Sequence, residues 1–96
     1  MIETIGLEDV EFIIKRIKKK LRNIAEVYVF GSIVENCAIP FESDLDLLVV
    51  SKKEIDVFSI LKEEIEEILN LGLSPHIIVV EEIPSHLKKE RMIKIV

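Results

Sequence analysis

Two aspartates, Asp44 and Asp46, open the apolar run DLDLLVV at residues 44–50, and a Gly-Ser pair, Gly31-Ser32, closes an earlier run, VYVF at residues 27–30. Aspartate is poorly suited to a strand, so two of them in an otherwise apolar stretch call for a reason beyond folding. Side chains alternate along a strand, which puts Asp44 and Asp46 on one face and Leu45 and Leu47 on the other. Their Cα atoms then lie about 6.5–7 Å apart at the usual strand rise. Carboxylates that close repel each other and favour a counter-cation between them. An all-oxygen donor set suits a hard ion such as Mg²⁺, which takes one or two carboxylates and completes its shell with water and substrate phosphates.

Gly31-Ser32 fits the same chemistry. Without a Cβ, Gly31 lets the backbone turn sharply and approach a ligand. Ser32 and Glu35 have the Ser-x-x-Glu spacing of a capping box, the signature of a short helix starting at Ser32. Free N–H groups at such a start, with the Ser32 hydroxyl, would receive a phosphate oxygen. A phosphate site facing a carboxylate pair is the equipment of phosphoryl or nucleotidyl transfer, in which the protein mainly positions groups around a metal-bound phosphate.

These residues need elements to hold them. Leu7, Val10, Ile13, Ile14, Ile17 and Leu21 recur at spacings of three and four, predicting an amphipathic helix over residues 7–23. Acids early and bases late in that stretch match the helix dipole. EVYVF, residues 26–30, predicts a buried strand, LDLLVVS, residues 45–51, a second, and HIIVV, residues 76–80, a third. Between the last two, residues 52–70 place Ile55, Phe58, Ile60, Leu61, Ile65, Ile68 and Leu69 broadly on one side of a helix, with Gly72 as its C-cap. After Pro84 the segment SHLKKERMIKIV reads as an amphipathic terminal helix, with IKIV able to form a short last strand. The fold class is therefore α/β (α+β): one domain over residues 1–96, with a small mixed sheet of three or four strands and helices packed on it. The link from residue 31 to 43, a loop or short helix, leaves the direction of the first strand pair open.

An apolar strand, Gly-Ser, a spacer of eleven residues and Asp-x-Asp at the head of the next strand together resemble the minimal nucleotidyltransferase domain of the DNA polymerase β-type superfamily. Pro40 and Ser43 also match common members, and the resemblance spans nearly the whole chain. It implies a Mg²⁺-dependent enzyme that moves AMP from ATP to a hydroxyl and releases pyrophosphate. Asp44 and Asp46 would be the catalytic metal ligands, and Gly31 and Ser32 would hold the triphosphate. Stand-alone minimal members are often paired with a small helical HEPN protein, a toxin RNase, and act as antitoxins that attach AMP to its tyrosine, so such a partner is the expected acceptor.

The chain departs from that pattern in three places. Its spacer is one residue longer than usual, which a loop absorbs at little cost. Asn36 stands where glycine is common, and asparagine tolerates left-handed backbone. Where active members carry a third carboxylate on the third strand, the best match here is His76, with Glu81 and Glu82 too far along. Imidazole suits Mg²⁺ poorly, which raises an alternative reading: a degenerate domain that binds nucleotide or partner and neutralises the partner by contact alone. A further alternative is the catalytic subunit of a small-molecule transferase, whose acceptor site would lie on another chain.

The remaining features point to a solvated, intracellular protein. The net charge of −5 argues against a dedicated nucleic-acid binder. The basic run Lys15, Arg16, Lys18, Lys19, Lys20 and Arg22 reads as the exposed side and last turn of the first helix, with an acidic partner or RNA as the sharper reading. A single cysteine, Cys37, excludes an intrachain disulfide and suits a reducing compartment; no base accompanies it, so it is not read as a nucleophile. His86 is read as a surface residue. No secretory signal or membrane span is evident, and the expected location is the cytoplasm. So many isoleucines in so short a chain leave apolar surface for a second copy or a partner.

Overall fold

The computed structural model describes residues 4–87 and 91–96. A 3-10 helix, Leu7–Val10, leads into α1, Glu11–Leu21; β1 (Glu26–Phe30), β2 (Asp44–Val50), α2 (Val57–Ile60), α3 (Lys62–Asn70), β3 (Ser74–Val80) and β4 (Met92–Lys94) follow. The four strands form one mixed sheet in the order β3-β2-β1-β4. β1 runs antiparallel to both β2 and β4, whereas β2 and β3 are parallel. The direction of the first pair is thus antiparallel. Parallel β2 and β3 are joined through α2 and α3, as a crossover requires.

The sheet is apolar on both faces. On one, Leu45, Leu47 and Val49 of β2 meet Val27 and Val29 of β1 and the buried sides of the helices, Ile13, Ile17, Leu21, Val57, Leu61 and Ile68. On the other, Phe30, Leu48 and Leu87 form a smaller cluster joined by Tyr28, Val50, Ile78, Val80, Ile83 and Met92. Residues 81–87 cover part of that second face through Ile83 and Leu87. Pro75 sits near the start of β3, an edge strand, where its missing N–H costs the ladder least.

Helix 1 behaves as its periodicity predicts: Val10, Ile13, Ile17 and Leu21 are fully buried. The second helical segment differs. It begins at Val57 rather than 52, is interrupted at Leu61, and buries the stripe Val57, Leu61, Glu64 and Ile68. Phe58 and Leu69, expected on the apolar side, are more than half exposed. Glu64, an acid, occupies a core position of that stripe. Its Oε1 accepts from Lys20 Nζ at 2.7 Å, and its Oε2 lies 3.1 Å from the Arg16 guanidinium, although off the hydrogen-bond direction. Arg16 also bonds Glu67 and Glu63. Two of the six basic residues, Arg16 and Lys20, are thereby spent on joining α1 to α3. Arg16 and Lys20 are only partly exposed and Lys15 pairs with Glu11 at 3.2 Å, while Lys18, Lys19 and Arg22 remain exposed.

At the C-terminus the short last strand offered at IKIV forms, one residue earlier, as Met92–Lys94 and replaces the end of the expected helix there, because Tyr28, Val29 and Phe30 offer it the open edge of β1. The middle of the expected helix, residues 88–90, lies outside the described residues. Among the described residues, no helix is long and apolar enough to cross a membrane.

Candidate active site

Antiparallel β1 and parallel β3 bring three strand ends together around β2. In register, Phe30 faces Asp46, Asp46 faces His76, and Asp44 faces Ser74. The end of β1, the start of β2 and the start of β3 therefore converge, and Gly31 follows directly from the first. Asp44 and Asp46 share the sheet face opposite the helices, because Leu45 and Leu47 are fully buried on the helical side. Asp44 is exposed, and the Asp46 side chain keeps 16% of its surface.

His76 Nδ1 lies 2.7 Å from Asp46 Oδ1. One donor atom from each of Asp44, Asp46 and His76 falls within 4.8 Å of the others, so the three could share one cation. The imidazole is half exposed at 53% and presents an edge to solvent. Asp46 also reaches the other way. Gly31 has φ +83°, and a Cβ placed on it would overlap Asp46 Oδ2. The carboxylate thus occupies the space that a side chain at 31 would take, which brings the acidic pair and the glycine turn into direct contact.

The turn differs from the expected short helix. Residues 31–36 form successive tight turns: Val34 N donates to Gly31 O, Glu35 N to Ser32 O and Asn36 N to Ile33 O. No capping box forms, because Ser32 receives the Glu35 amide on its carbonyl and the Glu35 carboxylate instead pairs with Arg91 at 3.3 Å. Buried Ile33, Val34 and Ala38 anchor the turn from beneath. Asn36 adopts φ +56°, the left-handed backbone that its substitution for glycine predicted. Among the described residues, the Ser32 and Ile33 amides and the Ser32 hydroxyl donate to no protein acceptor. Ile33 is fully buried, so the groups a phosphate oxygen could use are those of Ser32.

The rest of the connection is held at both ends. Ile5 and Ala38 pair as an isolated bridge. Ser43 Oγ accepts from Ile39 N at 2.9 Å, and Phe41 N donates to Gly72 O at 2.6 Å. The bond at Ser43 fixes the residue that precedes Asp44. Phe41 escaped the sequence reading: it stands 90% exposed on the connection with φ +67°. Nothing in PFES distinguishes an exposed aromatic from a core one, since the difference is made by the Gly72 contact some thirty residues on.

Other expected features lie elsewhere. Glu81 and Glu82 line a concavity with Asn23, Ile24, Glu26 and Ser51 at the opposite end of the sheet, which contains none of the expected site residues. Cys37 is exposed, and its thiol lies 3.5 Å from Ser32 O. His86 is exposed.

The donor set fits a divalent cation: two carboxylates and an imidazole at one sheet end, against the Gly31 turn. A family model described as a nucleotidyltransferase domain matches residues 10–96. No curated protein matches the chain.

Proposed function

The chain belongs to the nucleotidyltransferase domain family, and from that premise we propose that it transfers AMP from ATP to a hydroxyl on a partner protein. The contact between Asp46 and the Gly31 turn carries this reading, because it sets the acidic pair beside the groups suited to phosphate. The Gly31 turn, with the Ser32 amide and hydroxyl, would hold the triphosphate. Asp44 and Asp46 would hold the divalent cation, Mg²⁺ being the usual companion of ATP. A cation there would neutralise phosphate charge and align donor with acceptor. The acceptor oxygen forms a bond to the α-phosphorus as the bond to pyrophosphate breaks, and the acceptor proton passes to a neighbouring base. His76 stands where relatives are expected to place a carboxylate for that task.

The resemblance to stand-alone minimal members supports a small helical HEPN-type protein as acceptor, with the chain acting as its antitoxin. The same His76 supports a second reading, binding of nucleotide and partner without transfer. Incubation with labelled ATP, a divalent cation and a co-encoded helical protein separates the two. Transfer predicts label on the partner that is lost with both Asp44→Asn and Asp46→Asn. Tight association without label, with every metal offered, would overturn the transferase reading and leave the contact-only one.

A further inference from the structure

The third position of the acidic site differs in kind from the other two. Asp44 and Asp46 bring two negative charges, whereas His76 brings a nitrogen lone pair and, as a neutral ring, no charge. A carboxylate there would make three charges. Mg²⁺ is held by charge and hard oxygen, and it gains little from an imidazole; divalent transition ions bind imidazole well and follow a rising affinity from Mn²⁺ through Co²⁺. The geometry allows the ring to serve as a ligand. Nδ1 is the nitrogen turned inward, 2.7 Å from Asp46 Oδ1, and all three donor atoms lie within 4.8 Å of one another. Parallel pairing of β2 and β3 fixes His76 opposite Asp46, so the ring is brought there by the sheet and not by a mobile loop.

We propose that His76 is the third ligand of this centre, through Nδ1, and that it makes the site select a divalent transition ion over Mg²⁺. Resting on the reading of Asp44 and Asp46 as metal ligands, the inference adds the identity of the third ligand and the preference that follows. Binding Nδ1 to a cation requires the hydrogen bond to Asp46 to be given up and the ring to present its lone pair. The exposed side of His76 leaves room for that adjustment.

The test uses the full chain with Mn²⁺, Co²⁺ and Mg²⁺ offered singly and in competition, without nucleotide. Electron-spin-echo spectra of bound Mn²⁺ should carry nitrogen modulation, and that modulation should vanish in His76→Ala. The same variant should lose Mn²⁺ affinity by at least about 10–100-fold, which is what removing an outer-shell partner of a metal ligand costs. His76→Asp should lower the Co²⁺-to-Mg²⁺ affinity ratio by restoring a third charge. Circular dichroism should be unchanged in both variants, since the residue is half exposed. Mn²⁺ binding that needs Asp44 and Asp46 but shows no nitrogen modulation would overturn the role of His76 and leave the carboxylate reading intact. Mn²⁺ binding indifferent to Asp44→Asn and Asp46→Asn would overturn both.

Discussion

Gly31 has the least freedom of any residue at the site. Its φ of +83° disfavours a side chain, and the space a Cβ would need is already filled by Asp46 Oδ2. Gly31→Ala should therefore cost about 1–3 kcal/mol for the strained backbone alone and displace Asp46, weakening both Mn²⁺ and ATP binding. Urea unfolding and calorimetry would read the two effects separately. Glu64 poses the opposite problem, a fully buried carboxylate whose partners come from another helix. Lys20→Met removes its one well-formed hydrogen bond and should destabilise by about 1–3 kcal/mol. Glu64→Leu should cost less, because Lys20 and Arg16 keep Glu63 and Glu67 as partners and no charge is left buried. If the Leu variant proves the weaker in chemical denaturation, the Glu64 network is a net source of stability.

Among the elements, α2 depends on its cap. Asp56 Oδ1 accepts from Ser59 N at 3.2 Å, and Oδ2 from Ser59 Oγ at 2.7 Å. These bonds, the side-chain one first, hold the Asp56 carboxyl below its ordinary pKa. A lowered folded-state pKa means that the contribution is complete above the unfolded aspartate value of about 3.9 and is lost as pH falls through the folded one. The stability gap between wild type and Asp56→Ala should thus be constant from neutral pH down to mildly acidic pH and shrink in stronger acid, in paired urea titrations. Asp56→Asn should keep most of the cap and remove the pH dependence. The connection from β1 to β2 stores strain instead. Phe41 sits at φ +67° while 90% exposed, so little burial repays its backbone. Phe41→Asn should raise stability by about 1 kcal/mol, seen as a higher unfolding midpoint. A simultaneous loss of partner labelling would show that the ring is kept for contact.

Over the whole molecule, the chemistry depends on a sheet packed on both faces. Leu48 belongs to the smaller cluster and lies two residues beyond Asp46 on the same face, fully buried. Leu48→Ala should cost about 2–5 kcal/mol, and Val79→Ala, at an exposed position of edge strand β3, far less. A similar cost for both in denaturant would mean that the second face is not a packed core.

What the residues alone determined was local. Alternation put Asp44 and Asp46 on one face, and the 3.6-residue period of residues 7–23 and the β-rich runs at 26–30 and 45–51 located the elements to within a residue or two of their ends, because those patterns depend only on near neighbours. Gly31 was visible for the same reason. The tertiary structure decided whatever rests on distant pairing. It made the first strand pair antiparallel, turned the tail at Met92–Lys94 into a strand on the free edge of β1, gave the Glu35 carboxylate to Arg91 instead of to a capping box, and admitted Glu64 to the core by bringing Lys20 and Arg16 to it. It also set His76 against Asp46 through the β2–β3 register, thirty residues apart in the chain. Each of these balances a desolvated or unpaired group against a partner remote in sequence, and that partner exists only once the chain has folded.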